Sequence, residues 1–296
     1  MATLRAVVVG GTGALGRFLL GELVSSPAFS EVISLGRREA TIPETFQITD
    51  AQMRKLKQVI VDFDLETFTL ENNKSHFEDK DVFFCALGTT RSVASRQPGN
   101  TAENFRRIDL HLVVRCAEIA KAAGVRHVSL VSSVGANANS WFLYTKTKGQ
   151  AENEVEAIGF ERTSIWRPGL LDRGADARLA EKFLKIFATP MALGDVACGM
   201  TTEAVQWAFK TTAFPPVSRY NNAAIRDFVR QSKQSEVNAA DNPSVPAAAT
   251  EGDGTGESSE GQDADRTAKD DAITTEQATE LEIEPKPSDN EEPKAV

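Results

Sequence analysis

The 296-residue chain has few of the residues that build disulfide frameworks or metal centres. It contains only three cysteines and three histidines. Cys85, Cys116 and Cys198 lie far apart in apolar surroundings, which favours reduced core thiols in a cytosolic protein. The histidines show no metal-ligand spacing and are interpreted as surface or packing residues. The composition therefore predicts a cytoplasmic protein that holds no metal ion.

Long apolar runs and a basic surface are also missing. No segment approaches the ~18 apolar residues of a membrane span. The run Val7 to Val9 is too short for a secretory signal and leads directly into a glycine turn. Residues 1–230 contain 28 basic and 25 acidic residues with no basic stripe, which argues against nucleic acid as a partner. We expect no transmembrane segment.

Aromatic residues are absent after Phe228, and the composition changes at about residue 232. Gln231 to Val296 contains 5 Lys and Arg against 17 Asp and Glu, a net charge of −12 in a chain whose total is −9. Such a segment cannot bury enough apolar surface to offset the entropy of ordering. We therefore predict a folded domain over residues 1–230 and a disordered acidic tail over residues 231–296. A weak helical pattern from Thr274 to Ile283 is interpreted as solvated tail, with a partner-binding motif as the alternative.

A glycine-rich turn lies near the N-terminus, between a β-branched run and a helical pattern. The spacing is Gly10-x-x-Gly13-x-x-Gly16, and the helical pattern begins at Phe18. Backbone N–H groups and the helix dipole at such a turn attract anions. The strand before it and the helix after it favour a dinucleotide-binding loop over a turn without a ligand. The predicted contacts are Gly10, Thr12, Gly13, Ala14, Leu15 and Gly16.

The second predicted strand, Glu31 to Arg38, ends in two arginines. In a dinucleotide-binding unit an acid at this point accepts the ribose hydroxyls, whereas arginine accommodates a 2′-phosphate. Arg37 and Arg38 occupy the position here, and guanidinium groups match phosphate bidentately. The sequence therefore favours NADP(H) over NAD(H), with two solvated arginines as the alternative.

Two further apolar strands are predicted at Gln58 to Phe63 and at Asp81 to Thr90. Continuous apolar strands are typical of a parallel sheet that is covered on both faces. Ligands bind at the carboxyl ends of such strands. We therefore assign Asp62, Phe63, Leu87, Gly88 and Thr89 to the nucleotide site, although Asp62 could equally begin a turn.

The rest of the folded part alternates helices with strands, which predicts a doubly wound α/β sheet, the Rossmann fold. Only about 60 residues follow the sixth strand, so the C-terminal cover is small. The predicted elements are the helix Phe105 to Ala123, the strand Val125 to Ser132, the helix Trp141 to Ile158, the strand Thr163 to Arg167, and the helices Leu179 to Phe187, Val196 to Phe209 and Ala223 to Val229, with a loop at Phe214 to Pro216.

A second group of polar residues follows the fifth strand. Tyr144 and Lys148 are four residues apart on a helix and therefore share one face. A nearby ammonium favours the phenolate that a tyrosine needs for proton exchange near neutral pH. A serine hydroxyl at the strand end, from Ser132 or Ser133, can stabilise charge on a reacting oxygen. We prefer Ser133 and predict Ser133, Tyr144 and Lys148 as catalytic residues.

These motifs resemble those of the short-chain dehydrogenases/reductases of the extended or atypical kind, and in particular the Tat-interacting-protein oxidoreductase branch. The resemblance covers about residues 4–210. It implies that Lys148 also holds the nicotinamide ribose and that Pro168 lies at the cofactor. Asp109 departs from the pattern, because many relatives carry an asparagine of the proton relay there. The motifs that carry the resemblance are Gly36-Arg37-Arg38, Val61-Asp62-Phe63, Leu87-Gly88-Thr89-Thr90-Arg91, Phe142-Leu143-Tyr144 and Trp166-Arg167-Pro168-Gly169.

The combined prediction is an NADP(H)-dependent oxidoreductase with Tyr144 as general acid/base. The substrate is a carbonyl or alcohol compound that the sequence does not specify. The alternative is a nucleotide-binding regulatory or adaptor protein that uses the fold to bind other proteins. The intact Ser–Tyr–Lys set favours the enzyme, since an adaptor has no chemical need for it. The resemblance leaves a homodimer open, because relatives of this fold often pair through helices.

Overall fold

The computed structural model describes residues 2–89, 94–96, 98–171 and 190–241, and these form one parallel sheet of seven strands. The strand order is β3-β2-β1-β4-β5-β6-β7, so the order reverses between β1 and β4. The predicted doubly wound fold is therefore confirmed. The strands are β1 (Leu4–Val9), β2 (Phe29–Gly36), β3 (Leu56–Ile60), β4 (Val82–Cys85), β5 (His127–Val131), β6 (Arg162–Trp166) and β7 (Val217–Tyr220).

Helices connect the strands and cover both faces of the sheet. The segment predicted as one helix over Phe105 to Ala123 begins earlier, at Thr101, and contains a π-helical turn, Arg107–Leu112, between two α-helices. The helices are α1 (Ala14–Ser25), α2 (Asp50–Met53), α3 (Leu70–Phe77), α4 (Thr101–Arg106), α5 (Val113–Ala122), α6 (Leu143–Ala157), α7 (Leu193–Ala208) and α8 (Asn222–Asp241).

Strand β1 shows why the sheet is buried on both faces. Ala6 and Val8 point into a cluster with α1, α7 and α8, while Val7 and Val9 point into a second cluster with α3, α5 and α6. All four side chains are fully buried. Successive residues of a strand face opposite sides, so a continuous apolar run supplies both clusters at once.

The C-terminal part differs from its prediction in two places. No strand is predicted after the Phe214 to Pro216 loop, yet β7 follows it and pairs with β6. The last helix, predicted over Ala223 to Val229, extends over Asn222–Asp241. The predicted helix at 179–187, the Thr274 to Ile283 pattern and most of the predicted tail lie outside the described residues. The division at residue 230 stays a prediction, although residues 1–244 form one compact unit.

Candidate functional site

A cleft of about 630 Å³ opens at the carboxyl ends of the central strands, where the strand order reverses. Ligands bind at this point in open α/β sheets. The structure brings most of the predicted site residues together along its walls. These are Gly10, Thr12, Gly13, Ala14, Leu15, Arg37, Arg38, Asp62, Phe63, Leu87, Gly88, Thr89, Tyr144 and Lys148.

The glycine turn forms one wall of the cleft and requires its glycines for two different reasons. Gly10 has φ +91°, and a Cβ there would lie 2.5 Å from the Ala86 carbonyl carbon. Gly16 lies outside the lining, and its Cβ would be 2.1 Å from the Gly10 carbonyl oxygen. Gly16 therefore allows α1 to approach the turn. The first turn of α1 has no side-chain cap and no acidic residue, so its N–H groups suit an anion.

The end of the cleft next to β2 is basic. Arg37 and Arg38 follow β2 and are exposed to solvent at the cleft wall. A further charged pair that is not predicted from the sequence, Arg107 and Asp64, also lines the cleft, and its side chains lie 4.0 Å apart. Arg107 lies in the π-helical turn, and no motif in the sequence marks that turn.

At the opposite end, Lys148 is buried beside Asp109. Lys148 Nζ lies 2.9 Å from Asp109 Oδ1, and the Thr89 N–H donates to Asp109 Oδ2 at 2.8 Å. Burial lowers the pKa of Lys148. The Asp109 carboxylate and the neighbouring Tyr144 raise this pKa by more than burial lowers it, so the net shift is upward. Lys148 is therefore an ammonium at neutral pH. Tyr144 is 45% exposed and packs near the Phe105 ring.

The two serines at the end of β5 are placed differently. Ser132 is buried and lines the cleft, and its hydroxyl donates to Glu152 Oε1. Ser133 is outside the lining, and its hydroxyl donates to the Val134 carbonyl oxygen at 3.2 Å. The structure thus brings Ser132 rather than Ser133 to the cleft, and the catalytic role assigned to Ser133 stays a prediction.

Pro168 and Cys85 lie near the cleft without lining it. The Pro168 carbonyl oxygen accepts from the Val134 N–H at 2.9 Å and so joins the ends of β5 and β6. Burial raises the pKa of Cys85 to about 11, so its sulfur stays protonated and is a poor nucleophile. Neither a cluster of possible metal ligands nor a membrane-spanning helix occurs within the part of the chain that the structure describes.

The class of this protein follows from a family model. The model described as NAD(P)H-binding matches residues 10–202, which include the glycine turn, the arginines after β2 and the Tyr144–Lys148 pair. The chain belongs to this NAD(P)H-binding family.

Two relatives define its position within the family. It is 38% identical to Protein HTATIP2 of Rattus norvegicus over 164 residues, which are 55% of this chain and 61% of the rat protein. It is 32% identical over 239 residues to Protein FMP52-1, mitochondrial, of Scheffersomyces stipitis, which cover 76% of this chain and 99% of the yeast protein. The matched region thus spans less than two thirds of the rat relative. These relatives confirm the predicted resemblance to the Tat-interacting-protein branch.

Solved structures share the fold at low sequence identity. A short chain dehydrogenase from Burkholderia cenocepacia J2315 in complex with NADP has a TM-score of 0.52 and 15% identity, covering 81% of this chain and 97% of that one. MoeE5 in complex with UDP-glucose and NAD has a TM-score of 0.52 and 14% identity, covering 78% of this chain and 81% of its own. At this identity the likeness establishes the fold alone.

The predicted cytoplasmic location is wrong. Several FMP52 relatives, including those of Scheffersomyces stipitis, Candida albicans and Debaryomyces hansenii, are named mitochondrial proteins. Those names point to the mitochondrion instead. The prediction failed because reduced cysteines argue against an oxidising compartment but do not distinguish among the compartments that keep thiols reduced.

Proposed function

We propose that this protein is an NADP(H)-dependent oxidoreductase of the short-chain dehydrogenase/reductase type, acting on a carbonyl or alcohol substrate. One observation carries the proposal. A single cleft has two arginines at one end, an uncapped glycine turn in the middle, and Tyr144 with Lys148 at the other end. A dinucleotide with an adenosine phosphate and a reactive ring at opposite ends matches this order of groups.

The residues fit such a cofactor on geometric grounds. A Cβ at Gly10 or Gly16 would fill the space where the turn meets Ala86 and α1, so the cradle depends on glycine. Arg37 and Arg38 would bind the 2′-phosphate, while the N–H groups at the start of α1 would bind the pyrophosphate. Exposure of both arginine side chains leaves them available for this contact.

The chemistry at the far end would be hydride transfer, which the nicotinamide supplies when bound. Tyr144 would give a proton to the substrate oxygen in reduction and take it back in oxidation. Lys148, held by Asp109, would bind the nicotinamide ribose hydroxyls and keep positive charge close to Tyr144. Ser133 remains the proposed donor toward the substrate oxygen, for which its hydroxyl would turn away from the neutral Val134 carbonyl, a 3.2 Å contact that is weaker than one to a carboxylate. The mitochondrial names of the FMP52 relatives support a mitochondrial location for this enzyme.

The cofactor preference is tested by measuring the Kd of NADPH and of NADH for the wild type and for Arg37→Asp. We expect tighter binding of NADPH to the wild type. The substitution should reduce that preference about tenfold or more, since a hydrogen bond to a charged group contributes about 1.5–3 kcal/mol.

Arg54→Asp is the matched control, because Arg54 is an exposed residue at the end of α2, away from the cleft. It makes the same change of charge and should leave the ratio of the two Kd values unchanged. Equal affinity of the wild type for both nucleotides would overturn the preference.

A screen of carbonyl compounds for NADPH oxidation would identify a substrate.

A further inference from the structure

A buried carboxylate under the cleft has no part in the proposed reaction. Glu152 lies on α6 one helical turn beyond Lys148, and only 1% of its side chain is exposed. Arg167 Nε donates to both of its oxygens, at 2.9 and 3.2 Å, and Arg219 Nε lies 3.6 Å from Oε2. A carboxylate held by two guanidinium groups can accept hydrogen bonds but cannot donate them.

The carboxylate determines where the Ser132 proton lies. Ser132 donates its hydroxyl proton to Glu152 Oε1 and also lines the cleft, as Tyr144 and Lys148 do. A serine hydroxyl has one proton and two lone pairs. Since the proton is directed to Glu152, the side of Oγ that faces the cleft offers lone pairs only. Ser132 can therefore accept a hydrogen bond from a ligand but has no proton to donate to it.

We infer that Glu152 is a positioning residue that makes Ser132 the acceptor for the carboxamide N–H of the nicotinamide ring. The inference rests on the proposed function. A substrate carbonyl presents only acceptor atoms at its reacting group, and a substrate alcohol gives its one O–H proton to Tyr144, so neither gains from an acceptor at Ser132. The nicotinamide ring carries one donor, its carboxamide NH₂. Ser132 would therefore fix the orientation of the ring, and the donor to the substrate would be a different residue.

The test compares NADP⁺ with its 3-acetylpyridine analogue, in which a methyl group replaces the carboxamide NH₂ while the carbonyl is kept. The quantity measured is the Kd of the analogue divided by the Kd of NADP⁺, by calorimetry on the full chain. For the wild type we expect a ratio of about ten, the value of one good hydrogen bond. Ser132→Ala should weaken NADP⁺ binding by about the same factor and leave the analogue unaffected, so the ratio falls towards one.

Glu152→Gln should also lower the ratio, because an amide can donate to Ser132 Oγ and release the hydroxyl proton towards the cleft. Two matched controls should keep the wild-type ratio. Ser140→Ala removes a hydroxyl outside the cleft lining, and Glu156→Gln changes an acid one helical turn further along α6, which pairs with Arg219 at the surface.

The outcomes separate this inference from the function on which it rests. If the wild type binds neither nucleotide, the proposed function fails and the inference fails with it. If the wild type binds both, and Ser132→Ala weakens both equally or neither, only the inference is overturned. A Glu152→Gln protein that keeps the wild-type ratio would overturn the role of Glu152. Should Glu152→Gln fail to fold, the ratio for Ser132→Ala alone decides whether Ser132 is the acceptor, since that change removes a single oxygen atom.

Discussion

At the residue scale, Asp109 changes the electrostatics that the Tyr144–Lys148 spacing predicts. From spacing alone, Tyr144 would lie beside a lone ammonium. In the structure the Lys148 ammonium is paired at 2.9 Å with a fully buried carboxylate. The field at Tyr144 is therefore that of an ion pair, which is weaker than that of an isolated charge. Asp109 also accepts the Thr89 N–H, so one carboxylate fixes both Lys148 and the loop after β4.

The two tyrosines of the chain provide a paired test of proton transfer. Tyr144→Phe should reduce turnover of a substrate found by the carbonyl screen by at least about 100-fold, because general acid/base catalysis contributes about 10²–10⁴-fold. The Kd of NADPH should change little. Turnover and binding are measured on the same preparation.

Tyr220→Phe is the control for that substitution. Tyr220 lies on β7, where its hydroxyl accepts from Arg162 at 2.5 Å, and burial raises its pKa to about 12. Loss of this hydroxyl should lower stability and leave turnover intact. Full activity in the Tyr144→Phe protein would remove Tyr144 from the mechanism.

At the scale of elements, the glycine turn and α1 act as one unit. Gly16 is the third residue of α1 and is in direct contact with the backbone of Gly10. Leu19, Leu20 and Leu23 of α1 pack in the core with residues of α7. Because these core contacts hold α1 in place, the helix cannot shift to make room for a larger residue at position 16.

Gly16→Ala should therefore distort the turn. The added Cβ would lie 2.1 Å from the Gly10 carbonyl oxygen, and overpacking of this kind costs about 1–3 kcal/mol. We expect a lower free energy of unfolding in urea together with a weaker affinity for NADPH.

Gly194→Ala makes the same chemical change with the opposite expected sign. Gly194 is in the first turn of α7, and a Cβ there would meet the Phe18 ring at an ordinary 3.7 Å. The helix propensity of alanine should stabilise this variant by up to about 1 kcal/mol. If both variants changed stability equally, the close contact at Gly16 would not be the cause.

At the scale of the whole molecule, the edge of the sheet opposite the cleft is held by a buried charge network. Glu203 of α7 accepts from Arg162 Nε at 2.8 Å and lies 3.3 Å from His127 Nε2, all with fully buried side chains. Arg162 also reaches Ser218 and Tyr220 on β7. The network thus connects α7 with the starts of β5 and β6 and with the edge strand.

This network makes stability depend on pH. Burial raises the pKa of Glu203, but His127 and Arg162 outweigh burial and hold the pKa below its usual 4.5. Because the folded pKa is depressed, the stabilisation is present above about pH 4.5 and is lost as the pH falls through the folded value. Glu203→Gln should lower the free energy of unfolding by about 3–5 kcal/mol at pH 7, since it leaves Arg162 buried beside a neutral group.

Denaturant unfolding of both proteins at several pH values checks this expectation. The difference in free energy of unfolding between the wild type and Glu203→Gln should decrease as the pH falls below 4.5. Glu161→Gln is the control, because Glu161 is exposed and lies 3.7 Å from Arg126, a contact worth at most about 1 kcal/mol. A difference in free energy of unfolding that stayed constant with pH would contradict the assigned role of Glu203.

The sequence predicted the parts of this molecule that depend on local pattern. The glycine turn, the continuous apolar strands and the Tyr144–Lys148 face were all visible as spacing. Strand β7 was missed because Val217–Tyr220 is four residues long with two polar side chains, too short to show alternation. The choice between Ser132 and Ser133 depends on Glu152, 20 residues away, and on which way the chain turns after β5. No local pattern contains that information.

The π-helical turn at Arg107–Leu112 makes the residue count of its helix critical. A π-turn holds one more residue than an α-turn, and each residue advances an α-helix by ~100°. Deleting a single residue there would restore a regular helix and leave α4 and α5 in nearly the same relative rotation, because an α-turn and a π-turn both complete about 360°. The side chains of the turn itself would be redirected, among them Arg107 and Asp109, which line the cleft. A deletion in this stretch should therefore disturb the cleft while the packing of α4 and α5 is kept, even though a uniform helix would be the more stable local structure.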